Sequence, residues 1–279
     1  SDSGFISYAE AQRNPFRVDW ASYKPAKPRV SELCTFANYP LTDLERYINW
    51  TEFFHTWGIP GRFPAIFSHP QKGDEAKSIY SDAKMMLLQI DEQKQICANG
   101  VVQVFPACSQ GDDIILFDSP ERTRVLAVLP QLRNQQRKGE GAANASLADF
   151  VAPLSHGVTD YVALFAVTAG IGANALAKSL GAKGDEYHKL MLKVLTDRLA
   201  EAFAERLHHK VRTDIWGYAA NEQLTVDDML RGRYVGIRPA PGYPTCPDHR
   251  LRRTIFQLLD ATQQTGITLT ESLAMNPAS

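Results

Sequence analysis

The chain has 279 residues, 44% of them hydrophobic and 22% charged, with a formal net charge of −1; these are the proportions of an ordinary globular protein of one large or two small domains, and they supply no electrostatic reason for a nucleic acid or an acidic membrane as partner. No run of about 18 apolar residues suggests a spanning helix, and no basic patch followed by an apolar core suggests a signal peptide. The four cysteines (Cys34, Cys97, Cys108, Cys246) are scattered without a C-x-x-C pair, which fits reduced thiols in a cytoplasmic setting, with two disulfides as the alternative.

Residues 1–33 are polar and carry Pro15, Pro25 and Pro28. They read as an extended linker or surface arm that Phe16, Trp20 and Tyr23 can pin to the body, with a disordered tail as the alternative. Ser1-Asp-Ser-Gly4 has the look of a cut inside a longer chain. A helix is expected over 41–57, with Thr42 and Glu45 as a capping box, a heavy aromatic load, and Gly58 and Pro60 to end it. Asn49 lies in this helix, either facing solvent or serving a site. A second helix is expected over 73–95, where Met85 and Met86 read as core filling rather than a metal or flavin site.

A β region follows. Val101–Ala107 and Asp113–Asp118 flank a glycine-bearing turn, and Arg122–Val128 adds a third strand. No helices intervene, so the pairing should be antiparallel. Residues 131–146 read as a short polar helix and a loop. Tyr161–Val167 is almost continuously apolar, hence expected to be central and buried. The Gly-Ile-Gly172 after it lacks the third glycine and the βαβ setting of a dinucleotide site. The longest helix, about 37 Å, should run from Asp185 to His209, with Tyr187, Leu190, Met191, Val194, Leu195, Leu199, Ala202, Phe203 and Leu207 inward. Asp197, Glu201 and Glu205 form a row at i, i+4 spacing, either relieved by Arg198 and Arg206 or awaiting a cation. A bend carrying Trp216 comes next, then a helix capped by Thr225, a helix over 248–265 closed by Gly266, and a strand at Ile267–Leu269. Together these elements make an α+β fold, a mainly antiparallel twisted sheet with flanking helices.

Between the last two helices lies Arg238-Pro-Ala-Pro-Gly-Tyr-Pro-Thr-Cys-Pro247. Four prolines exclude helix and predict a stiff extended ribbon, either a connector or a reader of a small ligand through its backbone. Cys246 and His249 have a metal-like spacing without a second pair nearby. No G-x-S-x-G elbow is present for a hydrolase.

Arg-x-x-x-Gly-Tyr-Pro-x-Cys resembles the S-adenosylmethionine-binding signature of the activation (reactivation) domain of cobalamin-dependent methionine synthase. Tyr47–Phe54, Phe105–Ala107 with Gly111–Ile114, Ala148–Pro153, Asp197–Glu205, Trp216–Tyr218 and Leu269–Met275 resemble the same domain in the same order. The resemblance implies one elongated or C-shaped S-adenosylmethionine-binding domain over 34–279. Its ligand contacts would be Asn49, Glu201, Arg238, Ala240, Gly242, Tyr243 and Thr245, with no catalytic acid, base or nucleophile and no metal ligand. Arg238 would grip the carboxylate, Glu201 would take the ammonium or another polar group, the ribbon at 240–245 would face the adenine edge, and Tyr243 would offer its ring to the ligand. The implied reaction is methylation of a cobalamin bound by another domain of the same polypeptide, after reduction by a flavodoxin-like or diflavin reductase. The second reading is a docking module that caps the cobalamin domain and receives the reductant while binding the ligand weakly. Two departures bear on this: the family usually has Asp where this chain has Asn49, and it continues past Ser279 with a segment whose tyrosine contacts the ligand.

Overall fold

Residues 4–279 are described by the structure, a computed structural model. The chain starts as an arm laid on the body. Its short helix α1 (Tyr8–Gln12) is capped by Ser7. The Tyr8 hydroxyl donates to Asp112 at 2.6 Å, Phe16 stacks on Phe150 with centroids 5.0 Å apart, and the Trp216 Nε1 donates to the Ala26 carbonyl at 2.9 Å. Trp20 and Tyr23 pack edge-on against each other. Strand β1 (Cys34–Phe36) follows.

Where one helix was expected over 41–57 there are two, α2 (Leu41–Glu45) and α3 (Trp50–Thr56). The break comes from Asn49, whose backbone is extended and whose side chain accepts the Glu52 N–H at 3.0 Å, making it the N-cap of α3. Pro40, not Thr42, stands at the N-cap of α2, and Glu45 pairs with Lys84. Helix α4 (Gly73–Glu92) begins where expected, ends three residues short of its expected 73–95, and buries Ala76, Ile79, Ala83, Leu87 and Ile90.

The sheet is organised by the long strand β2 (Cys97–Gln110). A two-residue turn with Gly111 at φ +60° leads into β3 (Asp113–Phe117), and β4 (Val125–Pro130) forms the outer edge. One side of β2 takes β1 at Cys34↔Val102 and β3 at Ser109↔Ile114; the other takes β5 (Asp160–Ile171) along its length, with Val102↔Phe165. All these pairings are antiparallel. The central strand is therefore β2, and β5 lies beside it. The apolar run in β5 arises because both of its faces are covered: Ala163, Phe165 and Val167 pack into one core, and Val162, Leu164 and Ala166 into the other. The C-terminal residues meet the far edge of β5, where Ala169 N donates to the Ser279 carbonyl at 3.3 Å.

Residues 131–146 contain no helix. Their polar side chains bond the loop to the body, as when Arg133 donates to the Asn144 carbonyl at 2.7 Å. Helix α5 (Ala173–Ala182) is an unexpected element, launched by Gly172 at φ +94°, where an added Cβ would meet the Gln95 carbonyl oxygen at 2.4 Å. Helix α6 (Glu186–Lys210), capped by Asp185, runs straight into a wider π-type turn at Val211–Ile215. Its apolar stripe is buried from Met191 to Leu207, whereas Tyr187 and Leu190 are exposed; Tyr187 still packs on Trp57 and donates to Asp82 at 2.6 Å. Thr225 caps α7 (Val226–Leu230) in a capping box with Asp228. The expected helix over 248–265 is split into α8 (Leu251–Leu259) and α9 (Ala261–Thr265) by Asp260 in the left-handed region. The hairpin β6 (Thr268–Leu269) and β7 (Met275–Asn276) ends the described fold.

The sheet thus separates two cores. One packs α2, α3, α4 and α6 against one face through Leu44, Phe53, Phe54, Leu87, Leu195 and Phe203; the other packs α8 and α9 through Phe256, Leu259 and Ala261.

Candidate ligand site

The proline-rich segment after Arg238 is not an extended ribbon. It curls into two successive turns, with Tyr243 N donating to the Ala240 carbonyl at 3.2 Å, Cys246 N to the Tyr243 carbonyl at 2.9 Å, and Gly242 N to the Cys246 carbonyl at 2.7 Å. Proline stiffness still limits its freedom, but these bonds engage backbone groups that an extended ribbon would have offered to a ligand. Gly242, at φ +98°, is required by packing: an added Cβ would lie 2.5 Å from the His249 ring. The Arg252 guanidinium donates to the Pro241 carbonyl at 3.0 Å and ties the curl to α8. Cys246 is buried beneath, while Ala240, Tyr243 and Thr245 face outward.

Arg238 sits at the mouth of this curl and reaches back to α6, where its Nη2 donates to Glu205 Oε2 at 3.1 Å. The acid missing around Arg238 in the sequence is therefore supplied in space. The pair is only half made: Arg238 Nη1 and Glu205 Oε1 are buried and have no hydrogen-bond partner among the described residues. The expected row on α6 divides into three environments. Asp197 accepts from the Ser279 hydroxyl at 2.7 Å, Glu205 is buried on Arg238, and Glu201 between them is exposed. Arg206 turns away from the row to Asp43, at 3.0 Å. Glu201 stands one turn before Glu205, so the exposed carboxylate and the arginine share a neighbourhood. Asn49 is half-buried at the start of α3, which packs on α6, and its carbonyl oxygen is engaged in the cap.

Beneath the arginine lies a polar cluster that the sequence reading missed. His208 stands edge-on to Tyr234 with ring centroids 4.6 Å apart, and the Arg212 guanidinium lies 4.5 Å over the same ring. Arg212 is 0% exposed and grips Glu222 with two bonds, of 2.8 and 2.9 Å. Burial, with Arg212 and Arg238 nearby, pushes the His208 pKa down to about 3, so its ring is neutral at ordinary pH. The signal available in the sequence was the spacing of Glu205, His208 and Arg212, which brings polar residues onto one face of an otherwise apolar helix. Two clefts, about 750 Å³ under the arm and about 280 Å³ between α2 and α4, are lined by none of these residues. Among the described residues no group of three His, Cys, Asp or Glu could hold a metal ion, and no helix is long and apolar enough to cross a membrane.

Chemically the site offers one oriented cation with a spare donor edge, one exposed carboxylate, and an exposed aromatic ring on a rigid curl. That set suits a zwitterionic amino-acid group attached to a larger planar body, and it contains no nucleophile poised by a base. The family model described as vitamin B12 dependent methionine synthase, activation domain, matches residues 40–279. A solved structure, the crystal structure of the MetH reactivation domain bound to AdoHcy, superposes with a TM-score of 0.95 at 44% sequence identity, over 98% of this chain and 83% of that one.

Proposed function

The chain belongs to the activation-domain family of vitamin B12-dependent methionine synthases, and from that premise we propose that it binds S-adenosylmethionine through Arg238 and the curl at 240–245. The single observation that carries the reading is the buried, unpartnered Nη1 of Arg238 beside a rigid curl. A buried guanidinium edge without a partner is costly, and a ligand carboxylate would complete it. Glu201 is the exposed acid for the ligand ammonium, and the outward Tyr243 ring is the surface for its sulfonium or adenine. Asn49 stands at the family's acidic position with a carbonyl in place of a charge. Residues 34–279 are the binding body, and the residues before them an extended linker or arm laid on it.

None of these residues is a methyl acceptor. The role that follows is presentation: the domain holds the methyl donor in line for a cob(II)alamin that a neighbouring domain of the polypeptide carries and that a flavodoxin-like or diflavin protein reduces. The reduced cobalt supplies the nucleophile, and the domain reactivates the synthase in the cytoplasm, where its four free cysteines stay reduced. The docking reading is favoured by one observation, the exposed Val235, Ile237 and Tyr243 around the site, and it predicts negligible heat with the ligand.

Titration calorimetry separates the two. The chain should release or absorb heat with S-adenosylmethionine, and Arg238→Ala should weaken binding by about 1.5–3 kcal/mol, the range for hydrogen bonds to charged groups. Equal affinity in the two proteins would remove Arg238 from the site; no binding by either would leave the docking role.

A further inference from the structure

The loop that delivers Arg238 is fastened to one face of α6 and its continuing turn. Tyr234 is wedged between His208 and Arg212. The Tyr218 hydroxyl donates to the Val235 carbonyl at 2.8 Å, and Gly236 passes so close that an added Cβ would lie 2.5 Å from that hydroxyl. The last fastening is Glu205 to Arg238. Tyr234 and Tyr218 fix the backbone before the arginine, but neither touches its guanidinium. The guanidinium is a planar fork, so holding one Nη on a buried carboxylate fixes the plane and thereby the direction of the other Nη. Glu205 is only 4% exposed, which leaves the fork little room to swing.

We propose that Glu205 is a positioning residue for the ligand: it orients Arg238 so that Nη1 faces the ligand carboxylate, without itself contacting the ligand. This rests on the reading that Arg238 binds S-adenosylmethionine. The opposing effect is real, since a negative charge beside Arg238 also repels a second carboxylate. The geometry favours orientation because the carboxylate holds Nη2 and leaves Nη1 unpartnered.

The test is calorimetry on the whole chain with two probes, S-adenosylmethionine and its decarboxylated analogue, which keeps the ammonium and lacks the carboxylate. Glu205→Ala should weaken binding of the first about tenfold or more and leave the second unchanged. In an Arg238→Ala background, Glu205→Ala should add nothing for either probe. Glu205→Gln keeps the volume and an acceptor oxygen, so it should recover part of the loss; it also serves as the test variant if the alanine protein does not fold. A general loosening of the fold would weaken both probes alike and would overturn the proposal. So would an equal loss for the decarboxylated analogue, which would make Glu205 a direct ammonium contact. Unchanged or tighter binding of S-adenosylmethionine would show that Glu205 competes for Arg238. If the parent chain binds neither probe, the function proposed above fails and this inference falls with it.

Discussion

His208 shows what a single buried side chain costs. Its ring is neutral in the folded chain, with its pKa lowered to about 3 from the ordinary 6.5, first by burial and then by Arg212 and Arg238. His209 is shifted in the same direction, again mainly by burial. A group whose folded pKa lies below its unfolded one binds more protons when the chain unfolds, so stability falls as the pH drops below about 6.5 and keeps falling until the folded pKa is reached. At pH 4.5, two units below the unfolded value, His208 alone should cost on the order of 2–3 kcal/mol. Urea denaturation of the parent and of His208→Gln between pH 7 and 4.5 measures it. The variant should show the shallower loss; identical slopes would mean that the ring protonates in place. The same residue marks a limit of sequence reading. The adjacent pair His208-His209 gives no hint that one ring is sealed against Tyr234 while the other meets the Tyr47 hydroxyl at 3.0 Å.

At the scale of elements, periodicity located most segments and local hydrogen bonds decided their ends. Helices α4 and α6 and the β2–β3 hairpin stand where their apolar spacing and turn glycine put them. Two of the failures share a cause: a polar side chain or a left-handed residue interrupts a pattern that hydrophobicity alone would continue. Asn49 divides one amphipathic run into α2 and α3, and Asp260 divides another into α8 and α9. In the curl after Arg238, prolines suggested extension, yet turns placed between them close on themselves. Of the candidate site, Arg238 and the segment after it could be picked out because their motif is local, but the turns that segment makes could not. The buried partner Glu205 was legible only as one of three acids in a row, since its role depends on a loop 33 residues away. Asn49 is the element-scale test of structure against recognition. As an N-cap it can be replaced by Asp with little effect on stability, whereas Asn49→Ala should cost about 1 kcal/mol. Asn49→Asp should also tighten S-adenosylmethionine binding if the added charge meets the ligand ammonium. Thermal melts and calorimetry of both variants read the two effects separately. An alanine variant as stable as the parent would remove the cap from the account, and an aspartate variant with unchanged affinity would make the position structural.

The described chain is two helical cores on one five-stranded antiparallel sheet, and a buried charged node is among the fastenings of the arm. Arg133, with a side chain 3% exposed, bonds both oxygens of Asp149 at 2.7 Å and Asp112 at 2.5 Å. Each carboxylate in turn holds the arm: Asp112 accepts the Tyr8 hydroxyl at 2.6 Å, and Asp149 accepts the Phe16 N–H at 3.0 Å. Burial alone would raise the Asp112 pKa, but the bonds from Arg133 and Tyr8 outweigh it and hold the carboxyl below its ordinary value. Arg133→Met keeps most of the volume and removes the charge, leaving two acids buried without their cation. Breaking a buried pair in this way should cost about 3–5 kcal/mol. The loss should appear first in the arm, whose remaining contacts are largely exposed, so limited proteolysis should cut within residues 5–30 at denaturant concentrations that leave the core intact. Adding Asp112→Asn and Asp149→Asn removes the stranded charges and should return much of the stability, yet the arm should stay cleavable because its acceptors are weaker. Urea unfolding of the three proteins, with mass mapping of the first cuts, decides the matter. A loss below about 1 kcal/mol for Arg133→Met would show that water reaches the node. An arm that resists cleavage in both variants would show that aromatic packing at Phe16 and Trp216 holds it without the charges.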